Sequence, residues 1–140
     1  MTDASNVAVA QNQGTILVVD DASTMRAYLE SLLSDQGYTV ITAMNGVEAI
    51  SKAKIELPDL IFCDVNMPQM NGYDAVRGLR KDPDTHAIPV AMLTTEGAES
   101  DVDMAIQSGA NFHMVKPPKP DIVHDVAALF TAHKDPSCRT

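Results

Sequence analysis

A chain of 140 residues with 45% hydrophobic and 21% charged content can bury one core and is too short for two ordinary domains. Its formal net charge of −9 at pH 7 excludes a nucleic-acid surface built on phosphate contacts and suits a cation or a basic partner instead. No apolar run approaches the ~18 residues of a membrane span, no positive residue precedes Arg26 to start a secretory signal, and the cysteines at 63 and 138 form no disulfide framework, so the expected compartment is the reducing cytoplasm.

Residues 1–13 are small and polar without a period, which predicts a loose N-terminal arm. The apolar run at 15–20 reads as a strand buried on both faces. Residues 23–36 place Met25, Leu29, Leu32 and Leu33 on one helical stripe, with Ser23 or Thr24 as the expected cap and Gly37 after the end. A β-branched alternating segment follows at 38–43. Asn45 with Glu48 resembles a capping box for a helix that runs to about Leu57 and stops at Pro58. A buried strand at 59–64, a loop holding Pro68 and Gly72, and a helix near 72–81 come next. The fourth strand is expected at 88–93, a helix at 98–108 closed by Gly109, the fifth strand at 111–115, and a last amphipathic helix at 120–132. Residues 133–140 read as a loose tail. Strands that alternate with helices predict an α/β doubly wound parallel five-stranded sheet. Ligands of such sheets bind beyond the carboxyl ends of the strands.

At those ends lie Asp20 and Asp21, Asp64, Thr94 and Thr95, and Lys116. Two carboxylates ~4 Å apart repel by roughly 4 kcal/mol at an effective dielectric near 20. A hard divalent cation with oxygen ligands, Mg²⁺ in practice, relieves that repulsion. Each feature alone has a plainer explanation. An acidic pair after a strand is more often a solvated helix start, a Lys before Pro is usually surface, and a strand-end Thr usually bonds locally. Their occurrence at matching ends of successive strands favours a site that holds a metal.

Four motifs, LVVDDASTMR, DLIFCDVNMPQMNG, IPVAMLTTEG and GANFHMVKP, stand in register over residues 14 to about 132. With them the chain resembles the receiver domain of bacterial two-component response regulators, and most closely the stand-alone, CheY-like chemotaxis type. The resemblance implies a (βα)5 flavodoxin-like fold and a phosphoryl group accepted from a sensor histidine kinase (CheA-like). It implies that Asp64 is the phosphoacceptor. Asp21 would bind Mg²⁺ directly, Asp20 directly or through water, and Asn66 through its backbone carbonyl. Lys116 would pair with the phosphoryl group, and Thr94 would hydrogen-bond it and draw the following loop inward. The surface of the fourth and fifth helices would report that change. The Lys116–Pro117 bond is expected to be cis. Asn66 and Glu96 flank the phosphoryl group as in the chemotaxis type, which implies a short-lived signal.

Some positions depart from the family pattern. His113 stands where Tyr or Phe is usual, Pro118 replaces a bulky residue, and Asn71 replaces Asp. The imidazole either fills the aromatic slot or makes switching pH-sensitive, since histidine titrates near pH 6.5. A histidine there also occurs in the single-domain sporulation phosphorelay regulator. Residues 14–132 form the expected receiver domain, and output is expected through protein contacts of a monomer. The candidates are a flagellar switch protein, a phosphotransfer protein, or a kinase that uses the chain as a phosphate sink. A phosphatase of the haloacid-dehalogenase type also uses a strand-end Asp with Thr, Lys and Mg²⁺. It needs a second Asp where this chain has Asn66. A flavodoxin-like cofactor carrier lacks support, because the acids after the first strand repel a flavin phosphate.

Overall fold

The computed structural model describes residues 13–95 and 99–131, apart from the side chains of 99–102. The arm up to residue 12, the tail from residue 132 and Glu96 lie outside the described residues. Among the described residues ten elements alternate: β1 (Thr15–Val19), α1 (Ser23–Asp35), β2 (Thr39–Ala43), α2 (Gly46–Glu56), β3 (Leu60–Asp64), α3 (Gly72–Lys81), β4 (Val90–Thr94), α4 (Glu99–Ser108), β5 (Phe112–Val115) and α5 (Pro120–Thr131). The strands form one parallel sheet in the order β2-β1-β3-β4-β5, the flavodoxin-like arrangement.

The continuous apolar runs of β1, β3 and β4 follow from burial on both faces. Leu17, Val19, Ile61, Cys63, Val90 and Met92 point to one core, shared with Ala49 and Ala53 of α2, Val76 and Leu79 of α3, and Ala105 of α4. Ile16, Val18, Leu60, Phe62, Ala91 and Leu93 point to the other, shared with Leu29 and Leu33 of α1 and Val123, Val126 and Ala127 of α5. The sheet is therefore a middle layer between α1 with α5 and α2 with α3 and α4. The edge strand β2 is protected at its open side, where Lys52 Nζ donates to the Thr42 carbonyl at 2.6 Å.

Local signals set most of the helix ends. Asn45 Oδ1 accepts the Glu48 N–H at 2.8 Å, and Glu48 Oε1 accepts the Met44 N–H at 2.8 Å, so the expected capping box forms with its return bond one residue earlier. Asn71 caps α3 by accepting the Asp74 N–H at 2.9 Å. Gly37 and Gly109 take φ values of 94° and 104° after α1 and α4, where a side chain would be strained. The expected Ser23 or Thr24 cap of α1 is corrected. Ala22 occupies the cap position and makes no side-chain bond. The Ala22 N–H goes instead to Asp20 Oδ1 at 2.9 Å, so a site carboxylate shapes the turn.

At the opposite pole of the sheet, Arg80 at the end of α3 works as a clamp. It donates to the carbonyls of Gly109 (3.0 and 2.9 Å), Ile88 (2.7 Å) and His86 (3.1 Å), and to Asn111 Oδ1 at 2.9 Å. Burial lowers its pKa from the ordinary arginine value.

Two helical glycines make opposite predictions. A Cβ on Gly72 would lie 2.3 Å from the Asp64 carbonyl oxygen and 2.9 Å from Val65 Cα, and backbone cannot yield. A Cβ on Gly78 would lie 2.8 Å from the Ile50 Cδ1 methyl, which can turn aside. Thermal or urea denaturation of Gly72→Ala should show a loss of about 1–3 kcal/mol. Gly78→Ala should be neutral or gain up to about 1 kcal/mol of helix propensity. Equal effects would contradict the close approach at Gly72.

Candidate functional site

Parallel pairing brings all five strand ends to one edge of the sheet. Val19 is in register with Ala43 and with Cys63, Asp64 with Leu93, and Thr94 with Val115. The residues that finish or follow the strands must therefore meet. Asp20 extends the ladder by donating its N–H to the Ala43 carbonyl at 3.1 Å. That keeps its side chain in the sheet layer, where it is fully buried. Asp64 closes β3 and is fully buried as well. Asp21 is exposed at the rim. Ligand oxygens of Asp20, Asp21 and Asp64 all lie within 4.8 Å of one another.

Lys116 enters this mouth from the end of β5. Its Nζ is 3.1 Å from Asp20 Oδ2 and 3.3 Å from Asp64 Oδ1. Its N–H donates to the Thr94 carbonyl at 2.6 Å, and the Lys116–Pro117 peptide bond is cis. Burial alone would lower the ammonium pKa, but the two carboxylates outweigh it and hold it above the ordinary lysine value. Asp64 Oδ1 also accepts the Asn66 N–H at 3.4 Å. Asp64 Oδ2 is buried with no hydrogen-bond partner. Burial first, and then repulsion from Asp20, push the Asp64 carboxyl up to about 6 although Lys116 opposes them.

With all three carboxylates ionised, the cluster carries −3, and the single Lys116 ammonium leaves −2. Oxygen donors, an unpartnered buried carboxylate oxygen and a residual charge of −2 fit a hard divalent cation. The neighbouring Cys63 takes no part. Burial, then Asp64 and Asp20, raise its thiol far above the usual range, so it stays protonated.

Of the residues singled out in the sequence, Asp20, Asp21, Asp64 and Lys116 come together. The side chain of Asn66 is exposed, beside its N–H contact to Asp64. Thr94 is buried at the end of β4, and its hydroxyl donates to the Met114 carbonyl at 3.3 Å, toward β5. His113 is half-buried in β5, where it helps to line a cavity of about 180 Å³ with Ala105, Ile106, Ala110, Asn111 and Phe112. Sequence reasoning assigned no role to two neighbours of the site. Arg26 Nη1 donates to the Asp20 carbonyl at 2.7 Å. Gly72 lets α3 start against the Asp64 backbone, and its N–H reaches the Val65 carbonyl at 2.8 Å. The signal for Gly72 was its place in the Asn-Gly pair that opens α3, and nothing in the sequence marked Arg26 apart from a helical surface cation.

A family model described as the response regulator receiver domain matches residues 16–128. Chemotaxis protein CheY1 of Helicobacter pylori is 41% identical over 112 residues, which are 79% of this chain and 90% of that protein. The structure of chemotaxis protein CheY4 of Vibrio cholerae is similar with a TM-score of 0.79 and 34% identity, covering 83% of this chain and 97% of that one. The receiver domain of a sensor histidine kinase from Pseudomonas aeruginosa PAO1, solved with a magnesium ion coordinated in its active site cleft, gives a TM-score of 0.80 and 26% identity over 85% of this chain and 98% of its own.

The raised Asp64 pKa makes a stability prediction for the metal-free protein. A folded-state value of about 6 against an ordinary 3.8 means that the folded chain holds this proton more tightly than the unfolded one. Stability from this group is therefore greatest below about pH 4 and falls as pH rises to about 6, by on the order of 2–3 kcal/mol. The deficit persists at neutral pH. In chelator, Asp64→Asn should melt higher than the parent at pH 7.5, with the gain shrinking to nothing near pH 4. A difference that does not depend on pH would show that the carboxylate is not repelled.

Proposed function

The chain belongs to the response regulator receiver family, and from that premise we propose that its Asp64 accepts a phosphoryl group from a sensor histidine kinase. The observation that carries this reading is the Asp64 carboxylate. One of its oxygens is held by Lys116 and the Asn66 N–H, and the other is buried and unpartnered. The free oxygen, Oδ2, is the nucleophile. It forms the new bond to phosphorus while the bond to the donor's imidazole nitrogen breaks on the opposite side. Lys116 keeps Oδ1 from turning and then pairs with the transferred group, which adds roughly −1.5 to −2 charge. Thr94 exchanges its Met114 contact for a phosphoryl oxygen.

Asp20, Asp21 and Asp64, with the Asn66 carbonyl, would hold Mg²⁺, which when bound neutralises charge on the phosphoryl oxygens. The magnesium ion in the cleft of the Pseudomonas receiver domain supports that choice. Among the described residues no helix is long and apolar enough to cross a membrane.

Two relatives are named chemotaxis proteins, which supports a flagellar switch protein as the target. Phe112, Val115 and Ile122 are exposed around a cavity of about 430 Å³ that also reaches Lys116, an apolar surface for such a partner beside the switch. A second reading is favoured by His113. In it the chain passes its phosphoryl group to or from a histidine phosphotransfer protein.

Intact mass spectrometry after incubation with acetyl phosphate and Mg²⁺ tests the central claim. The parent should gain one phosphoryl group, and prior chelation or Asp64→Ala should abolish the gain. A gain in Asp64→Ala would move the acceptor elsewhere. The phosphorylated form should decay within minutes in the isolated protein, and a half-life of hours would contradict the roles of Asn66 and Glu96.

A further inference from the structure

We infer that Tyr28 is a positioning residue for Lys116, acting through a hydrogen bond to the Pro118 carbonyl. The inference rests on Lys116 contacting the phosphoryl group, as read above. Lys116 is followed by two prolines, and neither Pro117 nor Pro118 has an N–H to donate. At these two residues the turn from β5 into α5 can therefore be tied down only through carbonyls or by packing. Tyr28, on α1, donates its hydroxyl to the Pro118 carbonyl at 2.8 Å. Pro118 is buried there. The Tyr28 ring packs against the core that holds Phe62, Leu93, Met114 and Val123, so the hydroxyl is presented from a fixed platform. On the other side of the lysine, its own N–H is held by the Thr94 carbonyl at 2.6 Å.

One helix thus grips both halves of the ion pair. Arg26 donates to the Asp20 carbonyl at 2.7 Å, and Tyr28, two residues on, grips the turn that follows Lys116. The separation of Nζ from Asp20 Oδ2 and Asp64 Oδ1, 3.1 and 3.3 Å, is set between these two holds. The unusual Pro118 then has a physical role. It shortens the list of conformations open to the turn and leaves a carbonyl for Tyr28 to take.

The test uses the full chain, three single variants and one double variant. Tyr28→Phe removes only the hydroxyl. Tyr38→Phe is the control, because its hydroxyl lies 3.2 Å from Thr131 Oγ1 in the same core but away from the site. The first readout is hydrogen exchange of the Lys116 ammonium by NMR, assigned with Lys116→Met, and it needs no phosphoryl donor. Tyr28→Phe should speed exchange about three- to tenfold, the span of one neutral hydrogen bond, and Tyr38→Phe should leave it unchanged. Unchanged exchange in Tyr28→Phe, or the same change in Tyr38→Phe, would overturn the inference. The second readout is phosphoryl uptake from acetyl phosphate. Tyr28→Phe should slow it by a similar factor in the parent and have no effect in the Lys116→Met background. Equal slowing in both backgrounds would mean a general structural role and would overturn it too. If the parent takes up no phosphoryl group, the functional reading above fails, and the exchange experiment alone decides whether Tyr28 holds Lys116.

Discussion

Two carboxylates shut inside the end of a hydrophobic sheet, with one ammonium between them, are the constraint on which the rest of this molecule turns. Asp20 and Asp64 are fully buried, and Lys116 is the cation recorded in ion-pair contact with both. Burial of unbalanced charge costs several kcal/mol per ion unless partners are well placed. The fold tolerates it because each carboxylate is anchored by a different strand and because Asp21 leaves the third charge at the rim in water. The imbalance, −2 with all three carboxylates ionised, is what fits the site to a divalent cation.

The two faces of the sheet contribute differently. On the α1 and α5 side, Arg26 and Tyr28 fasten the backbone on which the ion pair hangs. On the other side, Gly72 brings α3 against the Asp64 carbonyl and Met92, so the helix packs directly on the end of β3. The exposed Phe112 and Val115 on β5 lie next to the lysine, and a change in charge at Asp64 has only one strand to cross before it reaches that surface.

Much of this was legible in the amino-acid order. ILVV, LIFCD and VAML announce strands covered on both faces, and acids or a lysine at the ends of such strands announce a site. What stayed hidden depends on contacts between residues far apart in the chain. Tyr28 meets Pro118 across ninety positions, and no local pattern marks either as a partner. The turn after β1 misled for a related reason. Ser23 and Thr24 carry the expected capping chemistry, yet Asp20, held by the ladder to β2, takes the Ala22 N–H first. Long-range pairing overrode local preference where the chain enters the site. Thr94 was placed correctly at the end of β4, but whether its hydroxyl faces the acid or the neighbouring strand is a matter of one rotamer, which sequence does not encode.

The Arg80 clamp sets a contrast between the two poles of the sheet. Its recorded partners are neutral oxygens, three carbonyls and one amide. Such charge-to-dipole bonds act at contact distance and are little affected by mobile ions, and the pairs of Lys116 with the buried Asp20 and Asp64 are shielded from those ions by their burial. Of the three acids in the mouth, the exposed Asp21 at the rim is the one that the surrounding electrolyte reaches. Ionic strength therefore acts on the lip of the mouth and spares both the buried pairs and the scaffold that aims the strands.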